Sequence, residues 1–159
     1  MTALRTKADL IQDSMQSLRR IVKALEDYSR AVEREFDLTG PQVWALWELG
    51  RYGPMSLKEL AERMRLEPST VVGVVDRLAL KDLVVRGPDP DDRRKISLIP
   101  TDKGKAILAK APHPAQGHLL KGLESMQRAR IEDLHRALTT LERVLGANNL
   151  TAPFFFAEQ

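Results

Sequence analysis

At 159 residues the chain is long enough for one domain, or for one domain with an added dimerisation element. It contains no cysteine, which excludes disulfides, thiolate nucleophiles and cysteine-based redox switches. The formal net charge is +3, and all of the excess lies in residues 38–110, with 13 Lys and Arg against 10 Asp and Glu; the flanks balance at 7 against 7 and 5 against 5. A modest basic surplus confined to one part, and doubled in a dimer, suits a polyanionic partner.

The N-terminus, Met1-Thr2-Ala3-Leu4-Arg5, lacks the apolar core of a signal peptide. No run of about 18 apolar residues follows, so no membrane association is expected and a soluble cytoplasmic protein is. No internal repeat or long low-complexity run is visible. From about Asp9 to Phe36, apolar residues recur mostly at steps of three or four: Ile11, Met15, Leu18, Val22, Leu25, Val32 and Phe36, with Ile21 and Tyr28 beside them. That spacing predicts one long helix with a broad apolar face. At 1.5 Å per residue it would reach roughly 40 Å, longer than a small domain can cover. The turn Asp37-Leu38-Thr39-Gly40-Pro41 ends it. Apart from the tail, every aromatic lies between Tyr28 and Tyr52, on both sides of this turn: Tyr28, Phe36, Trp44, Trp47 and Tyr52. Such a cluster serves as the core of a junction or as the wall of a pocket.

Two short helices come next. Ser56 and Glu59 form a capping-box pattern, and Leu57, Leu60, Ala61 and Met64 fall on one face. Arg65-Leu66-Glu67 is the turn. Pro68 suits the first position of the following helix, where its missing N–H costs nothing. Val71, Val74, Val75, Leu78 and Leu80 give that helix its expected buried stripe, which leaves Ser69, Thr70, Val72, Gly73, Asp76 and Arg77 for other faces. Asp82 to Arg86 then reads as a strand, and Lys95 to Ile99 alternates polar and apolar like a half-buried return strand. Gly87, Pro88 and Pro90 are expected to keep either strand from entering the loop. The loop is Pro88-Asp89-Pro90-Asp91-Asp92-Arg93-Arg94. Helix, turn, helix and basic-tipped hairpin make a winged helix-turn-helix, which offers one helix to a DNA major groove and one arginine-bearing loop to the adjacent minor groove.

Thr101 starts a further helix towards Leu123, broken at Pro112-His113-Pro114. Ile131, Leu134, Leu138, Leu141 and Leu145 stripe a last helix, with Asn148-Asn149 read as its end. Pro153 and then Phe154, Phe155 and Phe156 follow; at least one of these phenylalanines is expected to dock on the dimerisation helices. His113, His118 and His135 lack ligand spacing, so no metal is expected. The chain has no G-x-S-x-G, phosphate-loop glycine pattern or H-E-x-x-H. Asp91 and Asp92 sit on a Pro-flanked loop rather than in an apolar pocket. No enzyme activity and no cofactor are expected.

The run V-D-R-L-A-L-K-D-L-V, followed by D-P-D-D-R-R-K-I-S-L-I-P-T-D-K-G, resembles the MarR family of bacterial transcription regulators. The resemblance extends from about Ala8 to Leu145. It implies a mainly α fold with a small β-hairpin wing: a winged helix-turn-helix at 38–104, dimerisation helices at 1–37 and 105–147, and a C-terminal tail at 148–159. It further implies a homodimer on double-stranded DNA, a repressor reading a palindromic operator and released by a small aromatic or phenolic anion. Arg94 resembles the wing arginine that enters the minor groove, Asp92 the carboxylate that orients it, and Arg93 and Lys95 add phosphate contacts. Ser69, Thr70 and Arg77 are the polar candidates on the recognition helix. Asp76-Arg77 matches the family pattern too, and can equally tether the helix to its own domain. Val72-Gly73 departs from the polar pair frequent in the family; it would allow close approach of the DNA backbone, or a thymine methyl contact from Val72. Pro100 also departs, standing where the family usually has threonine. The resemblance places an effector pocket where the long helix joins the winged domain, with Tyr28, Phe36, Trp44 and Trp47 as walls and Arg34 or Arg51 as the cation. The absence of cysteine excludes peroxide sensing by thiol oxidation. An effector-independent DNA-binding protein, or a winged-helix module that binds protein, remains an alternative; a steep fall of affinity with salt marks DNA.

Overall fold

The structure, a computed structural model, describes residues 5–150. The expectation for Phe154, Phe155 and Phe156 lies outside the described residues. Within them the chain runs α1 (Lys7–Phe36), α2 (Gly40–Tyr52), α3 (Leu57–Met64), α4 (Pro68–Leu80), β1 (Val84–Pro88), β2 (Ile96–Pro100), α5 (Asp102–Leu108), α6 (Ala115–Glu124) and α7 (Arg128–Leu145). This is the mainly helical fold with a two-stranded hairpin that the sequence leads one to expect.

Helix starts follow local chemistry. Thr6 and Asp9 close a capping box at α1, the Thr6 amide donating to Asp9 at 2.9 Å and the Asp9 amide to Thr6 at 3.2 Å. The helix therefore begins two residues before Asp9. Ser56 and Glu59 repeat the device at α3, at 2.8 and 3.2 Å; each reciprocal pair satisfies two amides that the first turn leaves without partners. Hydrogen bonding to Ser56 holds the Glu59 carboxyl below its ordinary range. Arg65 takes a left-handed conformation, φ 54°, and turns the chain from α3 into α4.

The core lies where α2, α3 and α4 meet the hairpin. Leu46 and Leu49 of α2, Leu60 and Met64 of α3, and Val71, Val75 and Leu78 of α4 are fully buried with Leu83, Val84 and Leu98. Leu80 departs from the expected stripe and is 85% exposed. It stands two residues past Leu78, about 200° around the helix, on the opposite side. The hairpin also differs from expectation. β1 includes Gly87 and Pro88, paired with Ser97 and Ile96. A two-stranded ribbon has only edge strands, so a proline that cannot donate is tolerated at its end. Met55 adds a single bridge to Leu98, its carbonyl accepting the Leu98 amide at 2.8 Å.

Thr101 caps α5, accepting the Gly104 amide at 3.0 Å, and its hydroxyl donates to the Asp82 carbonyl at 2.6 Å. A Cβ at Gly104 would stand 2.3 Å from the Leu83 carbonyl oxygen, so only glycine lets α5 lie this close to the segment entering β1. The Pro112-His113-Pro114 break falls as expected between α5 and α6. The last helix ends at Leu145 rather than at Asn148-Asn149: Gly146, φ 66°, supplies the left-handed terminus a residue with Cβ takes only at a cost. In α1, Leu25 and Val32 are buried, whereas Leu10, Ile11, Met15, Leu18, Ile21 and Val22 remain exposed. Helix α7 buries no residue completely; Ile131 and Leu134 are half-buried, and Leu138, Leu141, Val144 and Leu145 are open.

Candidate nucleic-acid interface

Burial of Val71, Val75 and Leu78 fixes which side of α4 faces outward. Ser69, Val72, Gly73, Asp76 and Arg77 are exposed along it, and Thr70 is half-buried near the start. Residues three, four and seven apart share one helical face, so these side chains form a continuous strip. Asp76 is tied to the hairpin: it accepts from the Arg86 guanidinium of β1 at 2.6 Å. The pair joins α4 to the hairpin.

The tip of the wing is built around a residue that the sequence reading did not single out. Asp89 Oδ1 accepts the amides of Asp91 at 2.9 Å and Asp92 at 3.0 Å, while Oδ2 accepts the Ser97 hydroxyl at 2.6 Å. The Asp89 amide donates to the Lys95 carbonyl and the Lys95 amide to the Asp92 carbonyl, both at 2.9 Å. An aspartate accepting amides two and three residues ahead is an Asx turn, for which Asp-Pro-Asp-Asp was the available signal. Ser97 is buried, so its hydroxyl needs this partner. Asp92 in turn faces Arg94, which donates through Nε to Oδ1 at 3.1 Å and through a terminal nitrogen to Oδ2 at 3.4 Å. The Arg94 side chain is 90% exposed yet held by a two-point contact. Hydrogen bonds depress both carboxyls below the usual range: from Ser97 first and then the two amides for Asp89, and from the Arg94 side chain for Asp92. Arg93 and Lys95 are exposed on the same tip.

The expected effector residues are not gathered into one cavity. Trp47 and Arg51 line a cleft of about 540 Å³ with Leu49, Pro54, Ile99, Pro100, Lys105 and Leu108, between the ends of α2, β2 and α5. Its walls are largely apolar and its cations are Arg51 and Lys105. Trp47 Nε1 is buried with no hydrogen-bond partner among the described residues, and the Trp47 ring meets His113 in a tilted contact, centroids 4.5 Å apart. His113 also meets the edge of His118 at 5.8 Å. Tyr28, Arg34, Phe36 and Trp44 lie elsewhere. Tyr28 packs beside Gly40 with its hydroxyl buried and without a partner, and burial raises its pKa. Phe36 packs against the core, Trp44 donates to the buried Glu48 at 3.3 Å, and Arg34 is exposed in the last turn of α1. Sequence reasoning did not foresee Lys105, which approaches Arg51 only through the fold. Among the described residues no group of three or more acidic or histidine side chains could hold a metal, and no helix is long and apolar enough to cross a membrane.

Comparison with known proteins settles what this architecture is. The model of the MarR family matches residues 38–96, from the junction before α2 to the first residue of β2. A crystal structure of a MepR-like protein complexed with pseudoligands is 32% identical, with a TM-score of 0.53 over 84% of this chain and 94% of that one. The chain belongs to the MarR family. Two further relatives from Bacillus subtilis agree. The HTH-type transcriptional regulator YsmB is 29% identical over 83% of this chain and 90% of its own length. The HTH-type transcriptional repressor MdtR is 31% identical over 64% and 65% respectively. As a MarR-family member the protein is a transcription regulator with a DNA-binding winged helix-turn-helix. The matched segment contains α2, α3 and α4 and the whole wing tip, so every residue of the strip and of the Asp89–Asp92–Arg94 array falls inside it.

Proposed function

We propose that the protein is a homodimeric repressor that reads a palindromic operator, with α4 in the major groove and the wing in the adjacent minor groove. The observation that carries this reading is the Asp92–Arg94 pair. A long cationic side chain projects into solvent, yet it is oriented by two contacts to the Asp92 carboxylate, on a turn whose backbone Asp89 holds. A solvated turn has no need of such order, whereas insertion into a narrow groove requires an arginine whose direction is fixed beforehand. Repression is supported by the likeness to MdtR. The exposed apolar residues of α1 and α7 support pairing with a second copy, and a two-fold dimer matches a two-fold site.

The cleft at Trp47 supports release by a small aromatic anion. Its walls are largely apolar, and Arg51 and Lys105 supply charge. An effector acts only through differential affinity, by binding best to a dimer whose wings are misplaced for consecutive grooves. Fluorescence anisotropy on a duplex selected by the protein from a randomised pool tests the DNA reading. Arg94→Ala should weaken binding by about 1–3 kcal/mol at fixed salt; an unchanged affinity for the folded variant would reject the wing assignment.

A further inference from the structure

Glycines in this fold usually have a visible reason. A Cβ at Gly104 would strike the Leu83 carbonyl, one at Gly117 would stand 2.8 Å from Trp44 Nε1, and one at Gly50 would stand 2.3 Å from Leu108. Gly53 and Gly146 have positive φ. Gly73 has neither reason. It lies in the middle of α4, in an ordinary helical conformation, and a Cβ built on it meets no atom within 4 Å. Glycine there weakens the helix relative to alanine, and among the described residues no close contact requires it. Gly122 of α6 shares this openness, on a helix assigned to the self-association region rather than to the strip.

The surroundings of Gly73 indicate what offsets the cost. It stands one turn beyond Ser69 and one turn before Asp76 and Arg77, at the centre of the outward strip. Its neighbour Val72 is apolar and 38% exposed, among polar side chains. We infer that Val72 and Gly73 form a specificity site for thymine: the bare backbone at Gly73 is where the floor of the major groove comes closest, and the Val72 methyls meet a thymine C5-methyl. Thymine alone of the four bases presents a methyl in the major groove. A depression left by a missing side chain, bordered by an exposed branched aliphatic residue, fits that group, while hydrogen-bonding edges would find no partner at Val72. This inference rests on α4 being the recognition helix.

The test uses the full chain and a duplex that the wild-type protein selects from a randomised pool. Each thymine of one half-site is replaced in turn by deoxyuridine, which removes only the methyl. One replacement should weaken wild-type binding about three- to tenfold, in line with an apolar contact of one methyl group, and should have no effect on Val72→Ala. Gly73→Ala should raise Tm by a few degrees, about 2–4 °C per kcal/mol for a chain of this size. It should also weaken selected-duplex binding about tenfold or more while leaving the salt dependence unchanged, since no phosphate contact is lost. A Gly73→Ala protein that binds like wild type while Ser69→Ala does not would overturn the thymine site and leave the α4 reading intact. If Ser69→Ala, Val72→Ala and Gly73→Ala all bind like wild type, the α4 reading itself fails. A deoxyuridine penalty that persists in Val72→Ala overturns the methyl contact, and an unchanged or lowered Tm for Gly73→Ala removes the energetic premise.

Discussion

The direction of the Arg94 side chain is set by its neighbours on the wing. Its guanidinium is oriented by Asp92, and Asp92 is held by the Asx turn of Asp89, which also accepts from Ser97. Asp89 is therefore a positioning residue. Asp89→Ala should reduce operator affinity by less than Arg94→Ala, because the charge survives and only its orientation is lost. Asp89→Asn, whose side-chain oxygen can still accept the two amides, should restore most of it. Asp89→Ala binding as tightly as wild type would show that the turn has no part in recognition. The same bonds fix the pH response. Both carboxyls have folded pKa values below their unfolded values of about 3.9. Their contribution is complete above that value and disappears as pH falls through the lower, folded values. Wing geometry, followed through the Arg94 Nε–H resonance, should accordingly be constant from pH 8 to 5 and should change only in more acidic solution.

At the scale of elements, α5 meets the backbone entering β1 at Gly104 with no room for a Cβ. Gly104→Ala forces a methyl against the Leu83 carbonyl; overpacking of this kind costs about 1–3 kcal/mol, and backbone cannot yield as a flexible side chain can. The Tm should fall, and urea unfolding at equilibrium should show the loss; a variant as stable as wild type would mean that α5 shifts freely. This contact also shows where sequence is readable. Thr101 with Gly104, and Ser56 with Glu59, are local patterns whose partners lie within three residues, so helix starts and the wing were legible from spacing alone. Arg65-Leu66-Glu67 and Pro68 marked the helix-turn-helix for the same reason. Leu80 misled because composition supplies a stripe without the angular step that ends it, and Pro88 because strand rules for sheet interiors do not bind a two-stranded ribbon. The Asp76–Arg86 bridge, the grip of Ser97 on Asp89 and the approach of Lys105 to Trp47 join residues 8 to 58 apart, and no periodicity encodes such pairings. The aromatic cluster shows the complementary failure: Tyr28, Trp44 and Trp47 are close in sequence, but helices α1 and α2 turn them into different surroundings.

The whole molecule carries an imbalance that one copy cannot resolve. The winged unit has a well-buried core of its own, whereas Ile11, Met15, Leu18, Ile21 and Val22 on α1, and Leu138, Leu141, Val144 and Leu145 on α7, lie open to water. Two such stripes, on α1 and on α7, exceed the scattered exposure normal for a soluble surface, and large contiguous apolar patches mark association. In the proposed homodimer a second copy with the same stripes covers them, and its symmetry suits a palindromic site. Introducing charge at the centre of each stripe tests this without deleting any element. Ile21→Glu with Leu141→Glu should yield a monomer by sedimentation equilibrium at concentrations where wild type is dimeric, and the far-ultraviolet circular dichroism of the winged unit should persist because its core lies elsewhere. The monomer should engage one half-site, so the slope of log affinity against log salt should fall to about half, in proportion to the phosphates neutralised. Wild-type Tm should rise with protein concentration and that of the double variant should not, since only an association equilibrium makes stability depend on concentration. A wild-type protein that sediments as a monomer while binding its selected duplex with full affinity would overturn this account of the stripes.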